Sequence, residues 1–157
     1  MKKIKLFLIA ILLVGCSNRE KSTKISNQEL DIESEMIGIE ETRTAFQLAI
    51  KEGRYQDLQK FTTTDVKTVG PGSEEWNTMY KLGVKRGQFP YDSIVMSPTE
   101  TVIVNDSIAY DYGTSKVYYT DENGQSLLLE DTFLAILKKD KDGVWKLHRE
   151  VASSRVK

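Results

Sequence analysis

The side chains best suited to chemistry are scarce in this sequence, which has one cysteine, Cys16, and one histidine, His148, among 157 residues. A zinc site needs several such ligands at set spacings, so no metal set is available, and no cofactor is implied. Gly-rich phosphate loops, a nucleophile elbow and a Cys/His pair are likewise missing from the sequence. Gly70-Pro71-Gly72 precedes a helical pattern, but Glu74 and Glu75 already occupy the field where an anion would bind. Asp131, Glu150, Tyr80 and Tyr112 are further candidates for a pocket. Arg43, Trp76, Phe133 and His148 complete the candidate pocket. A lone histidine without a fixed partner reads more readily as a hydrogen-bonded strand residue, and Arg43 with Glu150 reads equally well as a structural ion pair.

Cys16 belongs to a different chemistry. Lys2, Lys3 and Lys5 precede ten uncharged residues, Leu6 to Gly15, too few for the roughly 20 that a membrane-spanning helix requires. A basic start and a short apolar core make a secretory signal peptide. Leu13-Val14-Gly15-Cys16 resembles the bacterial lipobox, which implies cleavage before Cys16 and a diacylglycerol thioether on its sulfur. The expected organisation is a signal peptide over 1–15, a polar tether over 16–29 and one domain over 30–157. Removing the three lysines leaves 19 basic against 23 acidic residues, a net charge of -4. No polybasic patch remains, so the lipid itself must hold the protein at the cell envelope. The near-neutral balance and pI of about 5.9 also exclude a nucleic-acid binder.

The elements that must position the candidates follow from hydrophobic spacing. Ile32, Met36, Ile39, Phe46 and Ile50 trace one stripe of a long helix, interrupted at Arg43. Gly53 falls where a left-handed cap is expected, and Tyr55, Leu58 and Phe61 suggest a short second helix. Val66 to Val69 predicts a brief strand. Ser73 caps a third helix carrying Trp76, Met79, Tyr80, Gly83, Val84 and Gly87, which ends before Pro90. Strands follow over 93–104, with a bulge or edge at Pro98, then over 107–120, 126–139 and 144–154. Asn123-Gly124 and Asp142-Gly143 predict two-residue hairpin turns. Helices followed by an antiparallel meander define an α+β domain with its helices packed on one face of a curved sheet.

Several strings in this order resemble the NTF2-like superfamily, specifically its SnoaL-like and DUF4440 group of cone-shaped domains. They are Ala45 to Gly53 with Leu58 and Thr64-Asp65, then Asp106 to Thr114, then Phe133 to Lys139 with Asp142-Gly143-Val144-Trp145-Lys146-Leu147. The resemblance spans about Leu30 to Ser154. It implies a pocket lined from the last strand, at His148, Glu150 and Ala152. Arg54 stands where the group often has aspartate, and Glu150, Ala152 and Ser153 stand where it often has Asp, Trp and Asn. The missing aromatic implies a wider mouth.

Two-residue turns would set Glu122 opposite Gln125 and Lys141 opposite Val144. Tyr110, Tyr112, Thr114, Lys116 and Tyr118 then share one face with Asp131, Phe133, Ala135, His148 and Glu150, and the resemblance implies that this face is the inner one. Asp131 would oppose Lys116, and Arg43 would meet Glu150. The tyrosines at 110, 112, 118 and 119 suit cross-strand packing or a dimer face. The expected function is that of a lipid-anchored, non-catalytic domain holding a small hydrophobic or amphipathic molecule or an envelope protein. The resemblance implies as the alternative an isomerase, cyclase or dehydratase with Asp131 or Glu150 as base and Tyr80 or Tyr112 opposite, and also a homodimer through the sheet.

Overall fold

The computed structural model describes residues 30–155. The expected signal peptide, the tether and Cys16 lie outside the described residues.

Asp31 starts the first helix, α1 (Ile32–Lys51), by accepting the Ser34 N–H at 3.2 Å, and Glu33 and Glu35 sit at the positive end of its dipole. The helix stops at Gly53, whose φ of 69° lets the Gly53 and Arg54 N–H groups close back on Ile50 and Ala49. The expected second helix is a 3-10 turn (Tyr55–Lys60), and it feeds β1 (Thr62–Val69), twice the length of the expected strand. The second α-helix, α2 (Glu74–Arg86), begins after Ser73, whose hydroxyl makes no capping bond, and ends in a left-handed Gly87. Gly83 lets this helix press on the following turn, because a Cβ there would lie 2.7 Å from Pro90 Cα.

Four long strands follow: β2 (Ser93–Ile103), β3 (Ile108–Thr120), β4 (Ser126–Lys139) and β5 (Trp145–Ser154). The sheet order is β1-β5-β4-β3-β2. The meander from β2 to β5 is antiparallel as expected, but β1 joins β5 in parallel. No tight turn ties β1 to β5, so the strand is free to enter in that direction. Pro98 lies on the edge strand β2, at a bulge between Pro98 and Glu100. The bulge brings β2 so close to β3 that a Cβ on Gly113 would reach within 2.6 Å of Pro98 Cα.

The two helices cover the same concave face and bury separate clusters. Ile39 of α1 packs with Ala109, Leu137 and Trp145, while Trp76 and Met79 of α2 pack with Val117 and Tyr119. Glu35 pins α1 to the far end of the sheet through Lys139 and the Trp145 indole N–H, which donates at 2.9 Å. At the opposite edge the Met96 N–H donates to Gln47 Oε1 at 2.8 Å. Ile32 and Met36 are exposed, so the buried part of the α1 stripe begins only at Ile39, and Val84 of α2 also faces water.

Candidate functional site

Strand register decides which side chains enter the cone, and the hairpin loops set it. Both loops hold three residues. The Asp121 N–H donates to Gln125 O and the Asp140 N–H to Val144 O, each at 2.9 Å. A type I′ turn needs positive φ at both central residues, but only Gly124 (80°) and Gly143 (81°) are left-handed here. The aspartate opening each loop holds it from within. Asp121 Oδ1 accepts the N–H groups of Asn123 and Gln125 at 2.8 Å each, and Asp140 Oδ1 accepts those of Asp142 at 2.9 Å and Val144 at 3.0 Å. The pattern Asp-x-x-Gly, present in both loops, is the sequence signal for this longer turn.

One extra residue turns β3 over. Asp111 pairs with Ala135 and Ser115 with Asp131, so Ala109, Asp111, Gly113, Ser115, Val117 and Tyr119 point inward. Tyr112, expected in the pocket, is 49% exposed on the convex face. Lys116 opposes Glu130 there in place of Asp131. In β5 the same loop error is cancelled by a bulge. Leu137 pairs with Leu147 but Ile136 with Arg149, so His148 is the extra residue and Glu150 returns to the inner face opposite Ala135. His148 leaves the cone at the bulge, and its Nδ1 lies 3.1 Å from the Thr63 hydroxyl and 3.5 Å from Asp65 on β1.

The cavity lies between α1 and the sheet and measures about 90 Å³. Helix α1 supplies Ile39, Thr42, Arg43 and Phe46, and the sheet closes it with Ile94, Met96, Asp111, Ala135, Leu137, Trp145, Leu147 and Glu150. Phe61 and Tyr91 complete the wall. Phe46 and Phe61 meet edge to face with centroids 6.4 Å apart. Ala152, where the resemblance implies a wider mouth, pairs with Phe133 and lies outside the cavity wall. Of the other sequence-derived candidates, Trp76 belongs to the core between α2 and the sheet, Phe133 is buried on β4, and Tyr80 is half-buried beside Gly70.

Arg43 does not meet Glu150. Its Nη2 donates to Asp111 at 2.7 Å and its Nη1 to Glu40, while Asp111 also accepts the Thr101 hydroxyl at 2.7 Å. The overturned register of β3 is the cause, because it brings Asp111 beneath the helix. The guanidinium is thus held by two carboxylates, and its Nε is the one buried side-chain polar atom among the described residues with no partner.

The other polar groups form an acidic cluster. Asp131 is buried and accepts the Ser115 hydroxyl, and desolvation still raises its pKa. Glu150 is pushed up to about 7, first by burial and then by the Asp131 charge. No hydrogen bond or ion pair holds its carboxyl among the described residues. Burial raises the Tyr91 and Tyr80 hydroxyls as well, with Glu150 and Asp131 adding to both shifts. Burial therefore favours the protonated form of Glu150, and the Asp131 charge favours it further. Sequence reasoning missed Asp111 and Tyr91, the first through the loop length and the second because it lies between elements.

No family model matches the chain, and no curated protein matches it. Solved structures do. A ketosteroid isomerase-like protein from Erwinia carotovora atroseptica superposes with a TM-score of 0.59 at 18% identity, over 78% of this chain and 98% of that one. An NTF2-like protein with a cystatin-like fold from Novosphingobium aromaticivorans gives 0.59 at 12% identity, over 78% and 82%. The association domain of CaMKII from C. elegans gives 0.52 at 14% identity, over 77% and 96%. Identity this low carries the architecture and nothing finer. Helices on the concave face of a strongly bent meander, with β1 added at its edge, make this an NTF2-like cone fold.

Proposed function

We propose that the cone holds a small, mostly apolar molecule without transforming it, and that lipid on Cys16 anchors the domain in the cell envelope. The observation that carries the binding reading is a cavity with aliphatic and aromatic walls and one unengaged carboxyl, Glu150. Its volume of about 90 Å³ is below the roughly 150 Å³ that admits benzene in an engineered core, which limits the bound part to a few heavy atoms. Lipidation rests on the lysines, apolar run and Leu-Val-Gly-Cys string ending at Cys16. Native mass spectrometry of protein purified from its own host's membranes tests both parts. The expected mass begins at a diacylated Cys16 and includes a retained small molecule. An unlipidated mass removes the anchor, and a ligand-free mass that no small apolar molecule changes removes the binding reading.

A catalytic reading is favoured by one observation, the carboxyl at Glu150 held near neutrality with the Tyr80 and Tyr91 hydroxyls under its influence. It requires deuterium exchange at the α-carbon of a small ketone that Glu150→Gln abolishes. A homodimer through the sheet is favoured by an exposed apolar row on its convex face, Val69, Val151, Leu134 and Tyr112, at paired register positions on β1, β5, β4 and β3. Sedimentation should give a dimer that Leu134→Glu converts to monomer.

A further inference from the structure

The cone has an unusual charge balance for an apolar cavity. Arg43, the only basic residue on its wall among the described residues, is held by Asp111 and Glu40 through both terminal nitrogens, which leaves only its Nε–H without an acceptor. The Glu150 carboxyl faces the same space without a partner, and Phe46, Phe61, Tyr91 and Trp145 surround it with aromatic surface. Aromatic rings present negative faces, and such walls recognise organic ammonium ions when a carboxylate balances the charge. Trp145 already engages one cation in this fold, the Lys139 ammonium 4.9 Å from its ring centroid.

We infer that the cone selects a small organic ammonium ion, with its cationic nitrogen toward Glu150 and its alkyl part against Phe46, Phe61, Tyr91 and Trp145. The inference rests on the reading of the cone as a binding cavity and adds the ligand's charge. An anion would meet the Glu150 and Asp111 carboxylates on the wall, where Arg43 is already paired with Asp111 and Glu40. A neutral isostere would leave an ionised Glu150 unpaired in an apolar space. The titratable groups around Glu150 are Asp131 of β4, whose charge raises it, Tyr80 of α2 and Tyr91 before β2, which its own charge raises in turn, and Arg43 of α1 and Asp111 of β3 on the same wall; β1 presents Thr68 beside it. The Asp131 charge is what opposes ionisation of Glu150 electrostatically, so an ammonium beside Glu150 offsets it and favours the ionised form.

Three branched probes of four heavy atoms each test this: isopropylammonium, propan-2-ol and acetate. Each is titrated into the full-length protein in a nonionic detergent at pH 8, following the indole N–H resonance of Trp145 by NMR. Isopropylammonium is expected to bind about tenfold or more tightly than the other two. That preference should weaken as Glu150 is protonated at lower pH and vanish in Glu150→Gln, which keeps the side chain's shape. Equal or tighter binding of propan-2-ol or acetate overturns the inference and leaves the cavity reading intact. A preference for isopropylammonium that survives in Glu150→Gln also overturns it, since the carboxylate would not be the selector. If none of the probes moves the Trp145 resonance, the cavity reading fails and this inference with it.

Discussion

Replacing Glu150 by glutamine removes a charge from the inside of the cone while keeping its size, and the consequence for stability has a definite sign. The Glu150 pKa is raised from 4.5 to about 7 in the folded protein, by burial first and by the Asp131 charge second. A raised acid binds its proton more tightly in the folded chain, so stability is fullest below the unfolded pKa and falls as pH rises from about 4.5 to about 7. The full loss is on the order of 3 kcal/mol at alkaline pH. Glutamine cannot ionise, so Glu150→Gln should match the wild type near pH 4 and exceed it by up to about 3 kcal/mol above pH 8. Other carboxylates run the opposite way, for example Asp140, lowered to about 2 by Lys146 and the Val144 N–H. The wild-type profile alone is therefore not diagnostic, and the difference between variant and wild type is. Urea unfolding at several pH values, followed through the buried Trp76 and Trp145, gives that difference. A gap that stays constant with pH, or a glutamine variant that loses ground as pH rises, would refute the placement of Glu150 in an apolar interior.

Arg43→Met leaves Asp111 buried with Thr101 as its remaining partner, so it should cost about 3 to 5 kcal/mol in urea unfolding. Glu40→Gln removes only the exposed partner and should cost less than about 1 kcal/mol; equal losses would contradict the buried pair. Gly113→Ala should destabilise by about 1 to 3 kcal/mol, because the new methyl meets Ser97 O and Pro98 Cα, and a neutral result would deny the close approach of β2. Cys16→Ser should leave the protein unprocessed or move it from the membrane to the soluble fraction. Unchanged fractionation and mass would end the lipoprotein reading.

Elements whose cause is local were legible from the residues alone. The Ile39, Arg43, Phe46 and Ile50 spacing marks α1 because helical period is a property of neighbours, and Gly53 ends it because a left-handed residue is needed there. Pro98 announced the edge strand for the same reason, having no N–H to give a neighbour. The composition of the site was partly legible too, since Arg43 interrupts an apolar stripe and Glu150 lies on a strand that must bury one face. What the local pattern could not decide was parity. A strand with apolar residues on both faces, such as β3, is oriented by its hairpin loop, and one residue in that loop exchanges Asp111 for Tyr112. In β5 the loop and the His148 bulge shift the register in opposite senses, so Glu150 enters the cone for a reason that alternation alone does not contain. The partner of Arg43 and the desolvation of Glu150 depend on that outcome, because both arise from residues far apart in sequence meeting across a helix and a bent sheet.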